Sequence, residues 1–356
     1  MNILHIAPIG YQSEGIGTVL LHLEKEQKAL GHDVRIVTKY KNKVYNNWNL
    51  ITINNNRDFL SFLELWAPDI VLFHSLYEME FLGFAKLLNQ KKIPYAVQMH
   101  GALSKENYKK SRLKKMVANW LWYNSYLKKA KCIIYLNQAE YENCVVRDLN
   151  PNYAILPNGC DEVFNVDLRT GVNNPSEIVY VGRININHKG LDELVKAIQL
   201  LKDRGVDNIH FSFYGNENDP DVETFKQMIF SLHPIAEYYG GIYGEEKKEK
   251  LKKSDLFILT SRYEGMPMGV LEAISYGLPC LVTPGTNMAD IIVKSNAGWS
   301  TPFSSVDIAN AIINAIKDLS KEAYIYRKNA FELSKDYSWK EIGKQSEGIF
   351  KKVLKK

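Results

Sequence analysis

The densest chemistry in this chain of 356 residues lies in the run Ser261-Arg262-Tyr263-Glu264-Gly265-Met266-Pro267-Met268-Gly269-Val270-Leu271-Glu272-Ala273. It follows the apolar stretch 256–259, which reads as a buried strand, and it leads into a helical pattern. Such a junction aims free backbone N–H groups at a ligand and suits a phosphate. Glu264 falls in the loop and Glu272 about one turn into the helix. Both carboxylates can therefore turn toward one ligand from different depths, each accepting a pair of hydroxyls. The plainer reading is one helix-capping glutamate and one surface glutamate.

A second run, Val181-Gly182-Arg183-Ile184-Asn185-Ile186-Asn187-His188-Lys189-Gly190-Leu191, has the same strand–loop–helix form. Arg183 offers a planar fork and Lys189 a point charge, a combination suited to a diphosphate. Gly182 and Gly190 would let the backbone approach a ligand. Alone, these are equally two solvated cations and two turn glycines. The first loop, Gly10-Tyr11-Gln12-Ser13-Glu14-Gly15-Ile16-Gly17-Thr18, opens a helix and can cradle an anion, although it lacks the G-x-G-x-x-G spacing of a dinucleotide fingerprint. Gln98-Met99-His100-Gly101 places a histidine at the carboxyl end of a predicted strand. Asp219-Pro220-Asp221 has the D-x-D form of a metal motif but opens a predicted helix, where an Asp cap and Pro at the first position are common. It is read as a cap, and no metal is expected.

The elements that must position these residues alternate. Strand-like runs at 3–7, 33–38, 70–73, 95–99, 132–136 and 153–156 enclose helical patterns such as 18–30 and 81–90. Pro157-Asn158-Gly159 breaks the rhythm, and 165–176 reads as a linker. The alternation restarts with strands at 178–181, 210–214, 256–259 and 279–282 and helices at 191–202, 221–232 and 268–276. Strands spaced by helices imply βαβ units and a parallel sheet. The expected fold class is α/β, with two doubly wound Rossmann-like domains, 1–160 and 165–337, facing a cleft that collects the loops after their strands. The tail, 338–356, is an amphipathic helix that must bury one face and is expected to return to the first domain.

Composition narrows the class. Hydrophobic residues make up 46% and charged residues 24%, which excludes a disordered or collagen-like chain. The N-terminus has no basic segment, and Pro8 interrupts its apolar run, so it reads as a strand rather than a signal peptide. No apolar run reaches the roughly 20 residues of a membrane span. Cys132, Cys144, Cys160 and Cys280 have no paired spacing, which fits a reducing cytoplasm and argues against a disulfide framework or zinc site.

The net charge of +5 is uneven: residues 1–160 hold 20 Lys and Arg against 13 Asp and Glu, leaving 25 against 27 in the remainder. An anionic partner for the first half follows. Residues 105–131 hold nine cations and one acid, with Leu113, Met116, Val117, Trp120, Leu121 and Leu127 at helical spacing and Trp122 and Tyr123 beside them. This is either a core helix with a solvated basic face or a helix that lies on an anionic membrane. Nucleic acid is not expected, because the cations lie on one helix of an enzyme-like domain.

Together these runs resemble the retaining glycosyltransferases of family 4, which have the GT-B fold. The resemblance covers nearly the whole chain. It rests on E-x7-E (Glu264, Glu272), G-R-x5-K-G (Arg183, Lys189), N-G-x-D (Asn158-Gly159-Cys160-Asp161), H-G (His100, Gly101) and the helix start Tyr337-Ser338-Trp339. It implies that Glu272 holds ribose hydroxyls and Glu264 a hydroxyl of the donor sugar. Backbone N–H groups near Met266, Met268 and Gly269 would hold sugar or phosphate. Arg183 and Lys189 would neutralise the leaving diphosphate, Gly15 would approach it from the first domain, and His100 would orient the sugar. The base would rest near Ile242 and Tyr243. The resemblance further implies same-face substitution with retained configuration and no cofactor. The membrane reading of residues 105–131 implies a glycan or lipid-linked acceptor, as in bacterial surface polysaccharide assembly, with the enzyme cytoplasmic or peripheral on the inner membrane face. Departures are Glu14 where many relatives have a glycine, Pro267, which has no N–H to donate, and Gly215-Asn216-Glu217-Asn218 in place of the commoner G-x-G. A nucleotide-sugar epimerase and a non-catalytic nucleotide-sugar-binding protein of the same fold are the alternatives.

Overall fold

A computed structural model describes residues 1–9, 14–39, 50–103, 108, 112–164, 166 and 168–355. The chain forms two compact units, Met1–Gly159 with Trp339–Lys356, and Cys160–Ser338. The first contains β1 (Asn2–Ile6), α1 (Glu14–Ala29), β2 (Asp33–Thr38), β3 (Leu50–Thr52), α2 (Asn56–Leu65), β4 (Ile70–His74), α3 (Met79–Gln90), β5 (Tyr95–Gln98) and α4 (Arg112–Ala118). A π-helical stretch, Asn119–Tyr123, joins α4 to α5 (Asn124–Lys129), followed by β6 (Cys132–Tyr135), α6 (Gln138–Asn143) and β7 (Tyr153–Ile155).

The sheet order is β3-β2-β1-β4-β5-β6-β7, with every neighbouring pair parallel. A parallel sheet of this kind is covered on both faces, so its strands are mostly apolar. One face presents Leu4, Ile6, Val71, Phe73, Tyr95 and Val97 to Phe59 of α2, Phe81 and Phe84 of α3 and Tyr126 of α5. The residues between them, His5, His74 and Gln98, are buried and polar on the other face.

The second unit contains β8 (Ser176–Val181), α7 (Ile186–Lys189), α8 (Leu191–Asp203), β9 (Ile209–Tyr214), α9 (Val222–Ile229), β10 (Ala236–Tyr238), α10 (Gly244–Lys253), β11 (Leu256–Leu259), α11 (Met268–Ser275), β12 (Cys280–Val282), α12 (Ala289–Lys294), β13 (Gly298–Ser300) and α13 (Ser305–Lys335). Its sheet is also all parallel, in the order β10-β9-β8-β11-β12-β13. Strand order reverses between β1 and β4 in the first sheet and between β8 and β11 in the second. In doubly wound sheets ligands bind outside the carboxyl ends at this reversal.

The final helix, α14 (Trp339–Lys355), lies along α1 in the first unit. Its buried stripe includes Trp339, Ile342, Ser346, Phe350 and Val353. Trp339 stacks on His22 with ring centroids 4.6 Å apart. A Cβ on Gly159 would lie 2.5 Å from the Trp339 ring. Two of the family-like motifs, Asn158-Gly159 and the Trp339 helix start, are thus halves of one packing contact.

Several elements escape the sequence pattern. β3, β10 and β13 are three residues each, too short for an alternation to show. α10 reads GEEKKEKLKK and buries only Leu251, so it carries no apolar stripe. α1 begins at Glu14 rather than residue 18, which places Gly15 in its first turn.

Candidate functional site

β8 and β11 are neighbours at the reversal of the second sheet, and each feeds a loop that carries the residues singled out by sequence. After β8, Arg183 is exposed, and its guanidinium makes no hydrogen bond or ion pair among the described residues. Lys189 ends the short α7, capped by Asn185, whose side chain accepts the His188 N–H at 2.8 Å. Gly190 then takes a left-handed conformation, φ 65°. A Cβ there would lie 2.2 Å from the Thr260 carbonyl oxygen. The close approach expected of Gly190 is therefore to the protein itself, not to a ligand. It brings the end of α7 against the loop after β11.

In that loop Lys189 Nζ donates to Glu264 Oε1 at 2.5 Å and Ser261 Oγ donates to the same oxygen at 2.7 Å. His188 Nε2 bonds the Tyr263 carbonyl at 2.7 Å and stands 3.8 Å from Glu264 Oε2. Asn287 Nδ2 donates to the Glu264 carbonyl at 2.7 Å and fixes the loop from behind. Burial works to raise the Glu264 pKa, but the Lys189 and His188 charges and the bonds from Lys189 and Ser261 outweigh it and hold it below its ordinary value. Glu264 is thus a buried, charged acceptor whose compensating cation is built in.

Arg262 anchors the same loop. Its guanidinium donates to both Asp192 oxygens, at 2.7 and 2.6 Å, and lies 4.4 Å from the centroid of Phe303. Met268 and Gly269 open α11, and their N–H groups have no acceptor among the described residues, as expected of a first turn. Pro267 precedes them and Met266 is buried. A Cβ on Gly269 would press to 3.1 Å on both Phe257 and the Val181 carbonyl oxygen, so glycine lets α11 settle on the strand ends.

Glu272 lies in the second turn of α11. It pairs with Lys247 of α10 at 2.6 Å, with side chains 33% and 24% exposed. Ile242 is buried, and Tyr243, 68% exposed, immediately precedes α10. Lys247, absent from the sequence reading, links Glu272 to that segment. It lies on a helix with no apolar signature, and no spacing rule would have found it.

The Asp219-Pro220-Asp221 run corrects the sequence reading. Asp221 precedes α9 but makes no side-chain cap. Instead Asp219 Oδ2 accepts the Ile184 N–H at 2.7 Å, and Asp221 Oδ2 accepts the Ile186 N–H at 2.8 Å. Both carboxylates are spent on the backbone of the Arg183 loop. Among the described residues no cluster of His, Cys, Asp or Glu is placed to hold a metal ion.

In the first unit, Gly15 is exposed, and a Cβ there would meet nothing within 4 Å. Among the described residues no packing requires glycine at this position. Gly10–Ser13, the rest of that loop, lie outside the described residues. His100 and Gly101 follow β5 with φ 47° and 77°, a tight left-handed pair. Buried Glu140 accepts the Gly101 N–H and, at 2.5 Å, the Leu136 N–H. Burial pushes its carboxyl up to about 7 despite those two donors. His100 Nε2 is 3.0 Å from His74 Nδ1, His74 Nε2 is 2.8 Å from His5 Nδ1, and His5 Nε2 is 2.8 Å from Gln27 Oε1.

Residues 113–122 of the basic segment do not form a core helix. Leu113, Met116, Val117, Trp120, Leu121 and Trp122 are exposed, Trp120 by 75%, while Tyr123, Tyr126 and Leu127 face the core. Lys114, Lys128 and Lys129 are exposed beside them. Residues 104–107 and 109–111 of that segment lie outside the described residues. Among the described residues no helix is long and apolar enough to cross a membrane.

Comparison with known proteins bears on the family and the fold. Residues 169–332 match the family described as glycosyl transferases group 1, and residues 13–164 match glycosyltransferase family 4. The chain is 23% identical over 227 residues to an uncharacterized glycosyltransferase of Methanocaldococcus jannaschii, covering 63% of this chain and 57% of that protein. It is 27% identical over 161 residues to the amylovoran biosynthesis glycosyltransferase AmsK of Erwinia amylovora, covering 43% of this chain and 38% of that protein. The matches thus span about half or less of these relatives. In fold it is similar to Anabaena HepE, solved in complex with UDP, with TM-score 0.77 and 17% identity over 99% of this chain and 100% of that one.

Proposed function

This chain belongs to glycosyltransferase family 4, and we propose that it moves a sugar from a nucleotide-sugar donor to a glycan or lipid-linked acceptor, with the anomeric configuration retained and without a metal ion. One observation carries the donor half: Arg183, Lys189, Glu264 and the open N–H groups of Met268 and Gly269 all follow β8 and β11, the two strands at the reversal of one sheet.

In this reading Arg183, which has no protein partner among the described residues, meets the diphosphate together with Lys189 and the α11 N-terminus. Positive groups fixed in advance stabilise charge on the leaving group without reorganising. Glu264 and Glu272 accept sugar and ribose hydroxyls respectively. Each already has a lysine beside it, Lys189 and Lys247, so a neutral hydroxyl can be bound without either carboxylate losing its compensating charge. The base rests near Ile242 and Tyr243, and His100 and Gly15 contribute from the first unit. The chemical step is same-face substitution through an oxocarbenium-like state, with the leaving phosphate taking the acceptor's proton. The protein contributes by holding two substrates in reacting geometry.

The acceptor half rests on the exposed apolar residues of α4 and the π-helical stretch, flanked by lysines. Apolar side chains at the surface beside a basic face suit an anionic bilayer. A lipid-linked acceptor presented at the inner membrane face follows, consistent with a relative assigned to amylovoran biosynthesis.

A thermal-shift screen of nucleoside diphosphates and nucleotide sugars, without and with magnesium, tests this reading. A ligand at a hundred times its Kd adds about 2.7 kcal/mol of apparent stability. The expected result is a clear upward shift for one base, equal with and without magnesium. No shift for any nucleotide contradicts it.

A further inference from the structure

Behind His100 a line of buried polar side chains crosses the first unit from the carboxyl edge of its sheet to the last helix. His74 closes β4, His5 sits within β1, Gln27 lies on α1 and Ser346 on α14, and all four are buried. Gln27 Nε2 donates to Ser346 Oγ at 3.0 Å, and Ser346 Oγ donates to the Gly343 carbonyl at 2.7 Å. The last link needs α14 close to α1: a Cβ on Gly343 would lie 2.7 Å from the Glu26 Cβ.

The chain has a direction. The Ser346 hydroxyl has one proton and gives it to Gly343, so its oxygen can only accept from Gln27. That turns the Gln27 carbonyl oxygen toward His5, which must donate from Nε2. A neutral imidazole carries one N–H. The other His5 nitrogen, Nδ1, must then accept from His74 Nε2, and His74 Nδ1 from His100 Nε2. His100 Nδ1 is left as a bare lone pair with no partner among the described residues. Burial supports neutral rings throughout: it lowers His5 and His100 to about 4 and His74 well below its ordinary value, the last helped by the two neighbouring rings.

We propose that Gln27, His5 and His74 are positioning residues that fix His100 as the Nε2–H tautomer, so that Nδ1 meets the ligand only as an acceptor for a sugar hydroxyl. The ligand half rests on the donor reading above; the tautomer half does not. A histidine free to choose its tautomer would accept or donate with comparable ease. One locked as an acceptor discriminates for a hydroxyl at that place on the sugar and against a group that can only accept.

The test uses the full-length protein with 15N-labelled histidine. Long-range proton–nitrogen correlation spectra at pH 7.5, assigned by His5→Gln, His74→Gln and His100→Gln, should show all three rings protonated on Nε2. Gln27→Leu, and independently Ser346→Ala should Gln27→Leu not fold, should give His100 a mixture of tautomers with the fold retained by circular dichroism. A proton on His100 Nδ1 in the wild type, or a His100 tautomer indifferent to both variants, overturns the relay. For the ligand half, Gln27→Leu or Ser346→Ala should weaken binding of the nucleotide sugar found by the thermal screen in proportion to the His100 tautomer lost, about twofold for an even mixture. Binding of its nucleoside diphosphate should be unchanged. Equal loss for both, or none for either, overturns the role assigned to Nδ1. Failure of the wild type to bind any nucleotide overturns the donor reading while leaving the tautomer result to stand.

Discussion

The Asp219 carboxylate accepts the backbone N–H of Ile184 at 2.7 Å, one residue beyond Arg183. With Asp221 on Ile186, it ties the start of α9 to the loop that would meet the diphosphate. A brace and a metal ligand respond differently to substitution. Asp219→Asn keeps an acceptor oxygen and should leave nucleoside diphosphate affinity within a few-fold. Asp219→Ala, which unties the loop, should weaken it on the order of tenfold to a hundredfold, as for loss of a bond to a charged group. Equal loss in both variants, restored by added magnesium, would point to a metal site instead.

The two glutamates differ in how far they depend on their lysines. The Lys189–Glu264 side chains are 12% and 11% exposed. Lys189→Ala leaves a buried carboxylate without its cation and should cost about 3 kcal/mol of stability. The wetter Lys247–Glu272 pair should cost under about 1 kcal/mol on Lys247→Ala. Glu264→Gln in the Lys189→Ala background should recover part of the loss. Chemical denaturation of the three variants checks the order.

Buried His5 supplies a pH dependence. Its folded pKa, about 4, lies below the ordinary 6.5, because burial outweighs the bond His5 donates to Gln27 and the nearby Glu24 charge. Between those values the unfolded chain binds the proton and the folded chain does not. The stability is therefore present above pH 6.5 and lost as pH falls toward 4, by about 3 kcal/mol for this ring. Melting temperature should fall over that range, less steeply in His5→Gln. Equal slopes would refute the assignment.

Vesicle sedimentation addresses the basic segment. Full-length protein should bind anionic vesicles and not neutral ones. Trp120→Ser should reduce that binding, and Lys114→Ala with Lys128→Ala should reduce it ~30-fold, at about 1 kcal/mol per cation. Equal binding to both lipids would rule out electrostatic docking.

The donor loops were readable because they depend on local order: strand, then glycine-rich loop, then helix, with Glu264 and Lys189 at fixed offsets. The α/β class was readable for the same reason, since residues 70–73 of β4 and all of β11 are unbroken apolar runs. What could not be read depends on contacts between distant residues. Lys247 reaches Glu272 from a helix without an apolar face. Asp219 and Asp221 look like caps until the Ile184 and Ile186 amides are seen opposite them. Gly190 looks like space for a ligand until the Thr260 carbonyl is found against it. The aliphatic and aromatic residues of 113–122 have the spacing of a buried stripe, and only tertiary structure shows them outside. The histidine chain joins positions 5, 27, 74, 100 and 346, a set with no sequence signature at all.

The central claim is that one nucleotide site is built from Arg183, Lys189, Glu264 and Glu272. Titration calorimetry with the nucleoside diphosphate found by thermal screening tests it most directly, comparing wild type with Arg183→Ala and Glu272→Ala. The account predicts saturable one-site binding without magnesium, weakened by at least about tenfold in each variant, as for loss of charge-assisted bonds. Wild-type affinity retained in both variants, or binding that requires magnesium, would contradict it.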